Sequence, residues 1–301
     1  MPTAFQRDTA VTPDASTPGR YRAHLPKTWS APNVPWGGIS LAATARAMQD
    51  AVPGHMPLRS VSCVFASPVE AGDVEVDVTL LRAGRTIAQV LATARTPGRD
   101  AGLTAIGVFG APRPGFEFTD LEPPEFPPVD ALRSFRDPVP EGIDFEFDND
   151  PFPLWMHHLE GKPVAGHAPW EHYVPTTSER SMYQRYDETP MLPDGTVDPL
   201  ALVALCDMMP GAVGERMGPP TEHDWYGPSA DITVHVVGTA RSEWLLARNR
   251  ARRAADGYAS LEVELWDPET GLVAYATQTM IFTFFGPAPE GDGRFPPDQR
   301  P

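Results

Sequence analysis

The sequence predicts an α+β protein made of two copies of one unit, each with a curved antiparallel sheet wrapped around a central helix. Two blocks, at about 19–110 and 173–285, show the same order: an extended segment, a helix, and four strands in which apolar and polar residues alternate. The two blocks align at one constant shift in residue number, so that residues 62–65 correspond to 233–236 and Arg82 corresponds to Arg253. So long a period indicates a duplicated domain rather than a solenoid. A helix of small apolar residues inside such a sheet is the hotdog arrangement, so the prediction is a tandem, or double, hotdog.

In the first block, a Trp-Gly-Gly turn at 36–38 leads into a buried helix at 39–52. Pro53 and Gly54 end this helix, because proline cannot continue it and glycine favours the turn beyond its end. A hairpin turn at 82–85 joins the second predicted strand to the third. The extended segment is predicted at 21–25 and the strands at 60–65, 74–80, 87–94 and 103–109.

The second block begins with a candidate strand at 181–186 and repeats the order of the first. Asp198 has a side chain suited to an N-cap and Pro199 suits the first helical position, so a helix is predicted over 198–213. A turn at 254–257 joins two of the strands that follow. These strands are predicted at 232–236, 244–252, 258–266 and 272–285.

A long connection separates the two blocks, and the predicted division of the chain is 17–110, 111–172 and 173–286. The stretch 111–175 contains 13 Pro and 13 acidic residues, a composition compatible with a disordered linker. It also carries nine Phe and Trp residues, which favour a segment laid across the surface of both units. The N-terminal stretch 1–16 is expected to be loose, and the tail from residue 286 is expected to be frayed.

The net charge and the cysteine content indicate which partners and which cellular compartment to expect. With 24 basic and 40 acidic residues, the net charge of −16 argues against nucleic acid or an anionic membrane as the main partner. No signal peptide, no apolar run long enough to span a membrane and only two cysteines are present, so we expect a reduced, cytoplasmic protein. The histidines at 157, 158, 167 and 172 fit no common ligand set, and no metal is predicted. Homo-oligomerisation stays open.

Several short stretches, in the same order across both blocks, carry a family resemblance. They are Asn-Val-Pro-Trp-Gly-Gly at 33–38, Val-Glu-Ala-Gly at 69–72, Leu-Arg-Ala-Gly-Arg-Thr at 81–86, Ser-Ala-Asp-Ile-Thr-Val-His at 229–235, Glu-Trp-Leu-Leu at 243–246, Leu-Trp-Asp at 265–267 and the stretch 271–278. In this combination the chain resembles the double-hotdog acyl-CoA thioesterases over 19–110 and 173–285. The connection and the tails match nothing in that family.

The resemblance implies a catalytic set of three residues. In that family an Asp of the second helix acts with a Thr or Ser and a Gln from nearby strands, and together they activate a water that attacks the thioester carbonyl. The matching positions are Asp207, Ser229 and Gln278. The implied substrate is an acyl-CoA or acyl-carrier thioester, and no cofactor or metal is needed.

The residues themselves leave alternatives to these roles. Asp207 lies on an apolar face with Leu200 and Val203, where a buried charge is unusual, although an exposed Asp on the solvent side is the alternative. Gln278 could be an ordinary polar strand residue, and Ser229 an ordinary strand-edge residue. The amides of Gly37 and Gly38 could bind the thioester oxygen, or the two glycines could serve a tight turn with close helix packing.

The duplication gives a test of the three-residue set within the chain itself. Shifted into the first unit, Ser229 falls on Leu58 and Gln278 near Ile106. Asp207 falls about halfway along the first helix, near Ala45. All three polar groups are absent there together, which predicts one reaction site per chain, built around the second helix.

Two other functions are compatible with the same fold. A non-catalytic acyl-thioester binding protein is the main alternative. A hotdog hydratase or dehydratase is disfavoured, because it needs an Asp–His pair close in sequence and the next histidine after Asp207 is His223. Three arginines on one strand face, from the set Arg248, Arg250, Arg252 and Arg253, could contact CoA phosphates or pair with acidic surface residues. Cys206 has no histidine placed to activate it.

Overall fold

The computed structural model describes residues 1–31, 34–143, 153–168, 170–218 and 225–284, apart from the side chain of His55. The helices are α1 (Ala4–Asp8), α2 (Gly37–Ala51), α3 (Pro153–His157), α4 (Pro199–Leu205) and α5 (Gly211–Met217). The strands are β1 (Thr12–Pro13), β2 (Arg20–Leu25), β3 (Leu58–Phe65), β4 (Gly72–Ala83), β5 (Ile87–Arg95), β6 (Leu103–Gly110), β7 (Leu159–Ala165), β8 (Glu179–Tyr186), β9 (Trp225–Tyr226), β10 (Ser229–Val236), β11 (Leu245–Ala255), β12 (Tyr258–Asp267), β13 (Gly271–Ile281) and β14 (Thr283–Phe284).

Twelve of the strands form one antiparallel sheet, and the predicted α+β double hotdog is confirmed. The strand order is β1-β2-β4-β5-β6-β3-β10-β13-β12-β11-β8-β7, so the two units meet where β3 pairs with β10. The short strands β9 and β14 pair with each other in a separate ribbon. Within the described ranges, no helix has the length and hydropathy to cross a membrane.

The duplication is visible in the irregularities of the sheet. The register of β4 and β5 shifts between Leu80 and Arg82, and the register of β11 and β12 shifts at the equivalent place in the second unit, between Ala251 and Arg253. A second pair of register shifts is related by the same offset. The register of β3 and β6 shifts between residues 58 and 60, and the register of β10 and β13 shifts between residues 229 and 231. Because β-bulges persist as designed features of a fold, this repetition supports the predicted alignment of the two units.

Equivalent residues face each other across the seam between the units. Ser62 and Thr233 are partners in the pairing of β3 with β10, and their hydroxyl oxygens lie 3.0 Å apart. These two residues also correspond to each other in the duplication. The seam therefore contains a pseudo-two-fold axis that relates one unit to the other.

The core lies between the sheet and the helices α2 and α4, which pack against each other. The middle of α2 is built from alanines, and Ala42, Ala43, Ala45 and Ala47 are all buried. Small side chains allow two helices and a sheet to approach closely, and this closeness brings the start of α2 to the end of α4.

The helix predicted over 198–213 is wrong in its second half. It ends at Leu205, with Cys206 as its C-cap, and a separate helix, α5, begins after Pro210. Proline within a helix removes a hydrogen bond and clashes with the carbonyl four residues earlier, so Pro210 breaks the run. Asp207 consequently lies in the turn between α4 and α5.

The expectation of a loose N-terminus is also wrong. Thr3 and Gln6 form a capping box that starts α1. Phe5 is buried and packs edge-on against the rings of Trp29 and Tyr186, at centroid distances of 6.3 and 5.2 Å. The indole N–H of Trp29 donates to Asp8 at 2.8 Å, which fastens the end of α1 to the first unit.

The connecting segment packs on both units over part of its length. Strand β7 adds to the sheet beside β8, and Phe126, Val129 and Leu132 cover an apolar cluster on the outer side of the second unit. His158 stacks on Trp29 of the first unit at 3.7 Å. Phe116 and Phe118, by contrast, are exposed. Three further aromatics of this segment lie outside the described residues, namely Phe145, Phe147 and Phe152. The tail predicted to be frayed, from residue 286, also lies outside them.

Candidate active site

Asp207 is a buried carboxylate in a turn. It follows the C-cap of α4, and its amide donates to the carbonyl of Ala204 at 3.0 Å. Only 7% of the residue is exposed. The prediction that Asp207 lies within a helix is wrong, whereas its burial agrees with the apolar spacing from Leu200 and Val203. Outside regular helix, its backbone depends on other contacts for its position.

Ser229 and Gln278 reach Asp207 from two neighbouring strands. The Ser229 hydroxyl donates to Asp207 Oδ1 at 2.8 Å, and Gln278 Nε2 donates to the same oxygen at 2.9 Å. Gln278 Nε2 also contacts Ser229 Oγ. The register shift between Ser229 and Asp231 sets the hydroxyl beside the amide, because the extra residue re-aims the strand end. The structure thus brings the three predicted residues together.

The side-chain carbonyl of Gln278 has a free acceptor. Gln278 is 3% exposed, and its Oε1 has no hydrogen-bond partner among the described residues. The orientation of the amide follows from the network: a carboxylate oxygen only accepts, so the NH₂ group faces Asp207. A buried acceptor without a partner is costly and suits a small donor such as a water.

Gly37 and Gly38 contact Asp207 directly. The backbone N–H of Gly38 donates to the Asp207 carboxylate. A Cβ on Gly38 would lie 2.6 Å from the carbonyl oxygen of Ala204, and one on Gly37 would lie 2.6 Å from Asp207 Oδ2. Close packing of α2 on α4 therefore requires glycine at 38, and glycine at 37 leaves room for the Asp207 carboxylate. The Gly38 amide serves the carboxylate.

Trp36 is the site residue that the sequence analysis missed. Its buried indole Nε1–H donates to the main-chain carbonyl of Asp207 at 2.8 Å. A tryptophan immediately before the Gly-Gly pair was visible in the sequence. Its role was not, because nothing in a sequence pattern shows that the start of one helix meets the end of another in the distant second unit.

The environment makes Asp207 a weak acid. Burial raises the pKa of its carboxyl to about 7, against the opposing effect of hydrogen bonds from Ser229, Gly38, Gln278 and Trp36. A carboxyl with a pKa near neutrality can accept a proton and release it again at the pH of the cell. Burial also raises the pKa of the neighbouring thiols, Cys63 and Cys206, so both stay protonated and are poor nucleophiles.

The corresponding place in the first unit is filled with apolar atoms. Leu58 and Ala45 are buried there, as expected. The counterpart of Gln278 is Gly107, because Val61 pairs with Gly107 as Ile232 pairs with Gln278. The predicted position, Ile106, is therefore wrong by one residue and lies on the outer face, 49% exposed. One position along a strand reverses the face.

Atoms of the core occupy the space that a side chain at Gly107 would need. A Cβ at this position would lie 3.0 Å from Phe109 Cε2 and 3.1 Å from Met48 Sδ. No side chain projects from Gly107 into the first unit, and an amide there would have to displace Phe109 or Met48. At the three corresponding positions, all of them described, the first unit thus has no polar side chain.

The other charged clusters have partners within the protein. Arg248 pairs with Glu264 and Arg250 with Glu179, each at 2.9 Å, and Arg252 pairs with Glu262. These ion pairs favour the interpretation in which the arginines of this strand face pair with acidic residues of the protein, rather than contact CoA phosphates.

The histidines considered as metal ligands have other contacts. His167 bonds Glu215, and His158 stacks on Trp29. The described part of the chain contains no group of three or more ligand residues arranged for a metal.

Fold and site together define a double-hotdog protein with a buried Asp–Ser–Gln cluster in its second unit. Family models agree with this class: the acyl-CoA thioesterase N-terminal domain matches residues 25–110, and the acyl-CoA thioesterase C-terminal domain matches residues 129–282. The chain belongs to this acyl-CoA thioesterase family. No curated protein sequence matches it.

Solved structures share the fold over nearly the whole chain. A protein of unknown function with a hot dog fold from Alicyclobacillus acidocaldarius has a TM-score of 0.76 and 22% identity, covering 95% of this chain and 100% of that one. A putative thioesterase II from Thermobifida fusca YX has a TM-score of 0.74 and 24% identity, covering 93% and 98%. An acyl-CoA thioesterase II, TesB2, from Mycobacterium marinum has a TM-score of 0.68 and 17% identity, covering 94% and 99%.

Proposed function

We propose that this protein hydrolyses acyl-CoA thioesters, with a water held by Asp207, Ser229 and Gln278 as the nucleophile. The observation that carries the proposal is the convergence of Ser229 and Gln278 on one buried carboxylate, beside an amide oxygen that has no partner among the described residues. Most buried acceptors in folded proteins have a partner, so the amide oxygen of Gln278 is suited to a water.

The proposed chemistry follows from the donors and acceptors present. Gln278 Oε1 accepts one hydrogen of the water, and Asp207 takes the other as a proton while the water oxygen attacks the thioester carbon. The tetrahedral intermediate then collapses, the C–S bond breaks, and the CoA thiolate leaves with the proton that Asp207 held. The products are a carboxylic acid and free CoA. Ser229 and Gln278 hold the reacting carboxylate in one orientation.

A thiol-release assay over acyl-CoAs of several chain lengths tests this function. The purified protein should release CoA from some of them in the presence of EDTA, at a rate proportional to enzyme concentration. Tight binding of an acyl-CoA with no turnover at any chain length would favour the non-catalytic binding protein and overturn the proposal.

The pH dependence of hydrolysis should follow the ionisation of Asp207. The carboxylate form is the base, and burial raises its pKa to about 7. Activity should therefore be low at pH 5, where the carboxyl is protonated, and should rise as pH passes through neutrality. A profile of kcat/KM against pH measures this limb, because that ratio reports groups of the free enzyme. A flat profile between pH 5 and 8 would remove a base of this pKa from the mechanism.

A further inference from the structure

The two central helices begin in different ways. Asp198 caps α4 with its own side chain, which accepts from the Leu200 amide at 3.0 Å. Trp36 occupies the same position before α2 and makes no side-chain cap. Helix α2 is therefore left with backbone N–H groups at its start that its own sequence does not satisfy.

The other unit supplies the missing cap. The Asp207 carboxylate accepts the N–H of Gly38 in the first turn of α2, and the indole of Trp36 donates to the Asp207 carbonyl. The carboxylate thus lies at the positive end of a helix of 15 residues. The main-chain carbonyl and the side-chain carboxylate of Asp207 are therefore both hydrogen-bonded by residues of the first unit.

We propose that Trp36 is a positioning residue that holds Asp207 in its reactive orientation across the boundary between the units. The inference rests on the proposed function of Asp207. Because Asp207 lies in a turn rather than a helix, its carbonyl has no helical partner, and the indole N–H takes that place. Loss of this bond would let the turn move while Ser229 and Gln278 stay in the sheet.

The pseudo-symmetric position shows the alternative arrangement. There, the carboxylate of Asp198 occupies the helix start and also pairs with Arg46 of α2 at 2.5 Å. The charge at that helix start is therefore already neutralised inside the protein. Trp36, in place of an acidic cap, leaves the start of α2 open for the carboxylate of Asp207.

Trp36→Phe tests the positioning role, because it keeps an aromatic ring and removes the N–H donor. We expect kcat to fall about tenfold with KM within about twofold, since misplacement of a reacting group acts mainly on the chemical step. The acid limb of the pH profile should also move to higher pH, because the indole N–H, besides its bond to the main-chain carbonyl, lowers the pKa of the nearby Asp207 carboxyl, and this effect is lost. The nearby thiols of Cys63 and Cys206 stay neutral and do not contribute to this limb.

Trp266→Phe is the matched control. Its buried indole also donates to an acceptor within the protein, Glu264 Oε2 at 3.0 Å, but it belongs to the apolar cluster on the outer side of the second unit. Both variants lose one buried indole hydrogen bond. Unchanged kcat and pH profile in Trp36→Phe, or an equal loss in Trp266→Phe, would overturn the positioning role.

Gly37→Ala tests the contact between the start of α2 and the Asp207 carboxylate without altering Trp36, and it tests placement of Asp207 from the first unit if Trp36→Phe does not fold. The added methyl group would meet Asp207 Oδ2 and the ring of Phe65. We expect kcat to fall about 100-fold. The melting temperature should fall, because the methyl group must displace atoms of Asp207 or Phe65, so kcat is measured well below the melting temperature of the variant. Full activity in this variant would contradict placement of Asp207 from the first unit, whereas the thioesterase proposal would fail only if the wild-type enzyme released no CoA.

Discussion

Asp207→Asn is expected to lower kcat by about 10²–10⁴-fold, the contribution typical of a general base. The amide has nearly the same shape as the carboxyl and can still accept from Ser229 and Gln278 through its oxygen, so the fold should remain. It cannot take a proton from water at neutral pH, and this is the property the mechanism needs. Steady-state kinetics on the best acyl-CoA of the wild-type panel measures the loss.

Asp198→Asn serves as the control for this substitution. Asp198 is also a buried aspartate, at the start of the helix that ends before Asp207, and asparagine is a good N-cap. The Asp198→Asn variant should melt at a lower temperature than the wild type, because Arg46 loses its ion pair. Its kcat should stay within about twofold of the wild-type value. A folded Asp207→Asn variant with wild-type kcat would remove Asp207 from the mechanism.

A single substrate site per chain is the second large expectation. The first unit has Leu58 and Gly107 where the second has Ser229 and Gln278. Ala45 corresponds to Asp207, because the two lie equally far from the starts of α2 and α4. The apolar lining of the first unit cannot hold or activate a water, although it can complete the core. A non-hydrolysable acyl-CoA thioether, titrated by calorimetry, should bind at one equivalent per chain, and Asp207→Asn should abolish nearly all turnover.

The same asymmetry predicts that a carboxylate alone cannot create a second site. Ala45→Asp, made in the Asp207→Asn background, should recover no activity, because the hydroxyl and amide partners are missing from the first unit. Binding at two equivalents, together with loss of only half the activity in Asp207→Asn, would show that the first unit is itself catalytic.

The strands and the duplication could be predicted from the sequence because they depend on local patterns. Alternation along 74–80 and the turn residues at 82–85 and 254–257 placed hairpins that the structure contains. The constant offset between the units could be read because the two copies kept equivalent strands and turns. These are properties of short segments, and each can be recognised without knowing what the segment touches.

The errors came from features that depend on a single residue or on distant contacts. Pro210 ended a helical pattern that the apolar spacing alone would extend, and an offset of one residue exchanged Ile106 for Gly107. Trp36 was overlooked because its partner belongs to the other unit. The three-residue set itself came from family resemblance, since an Asp, a Ser and a Gln far apart in sequence carry no local signal.

The most direct test of the mechanism follows the oxygen of the water. A single turnover in H₂¹⁸O, with enzyme in excess over acyl-CoA, should place one heavy oxygen in the released acid and none in the Asp207 peptide, as mass spectrometry can measure. This is the result expected when Asp207 acts as a base on water. Heavy oxygen in the Asp207 carboxyl would show instead that Asp207 attacks the thioester itself and forms an anhydride, which would contradict the water-held mechanism.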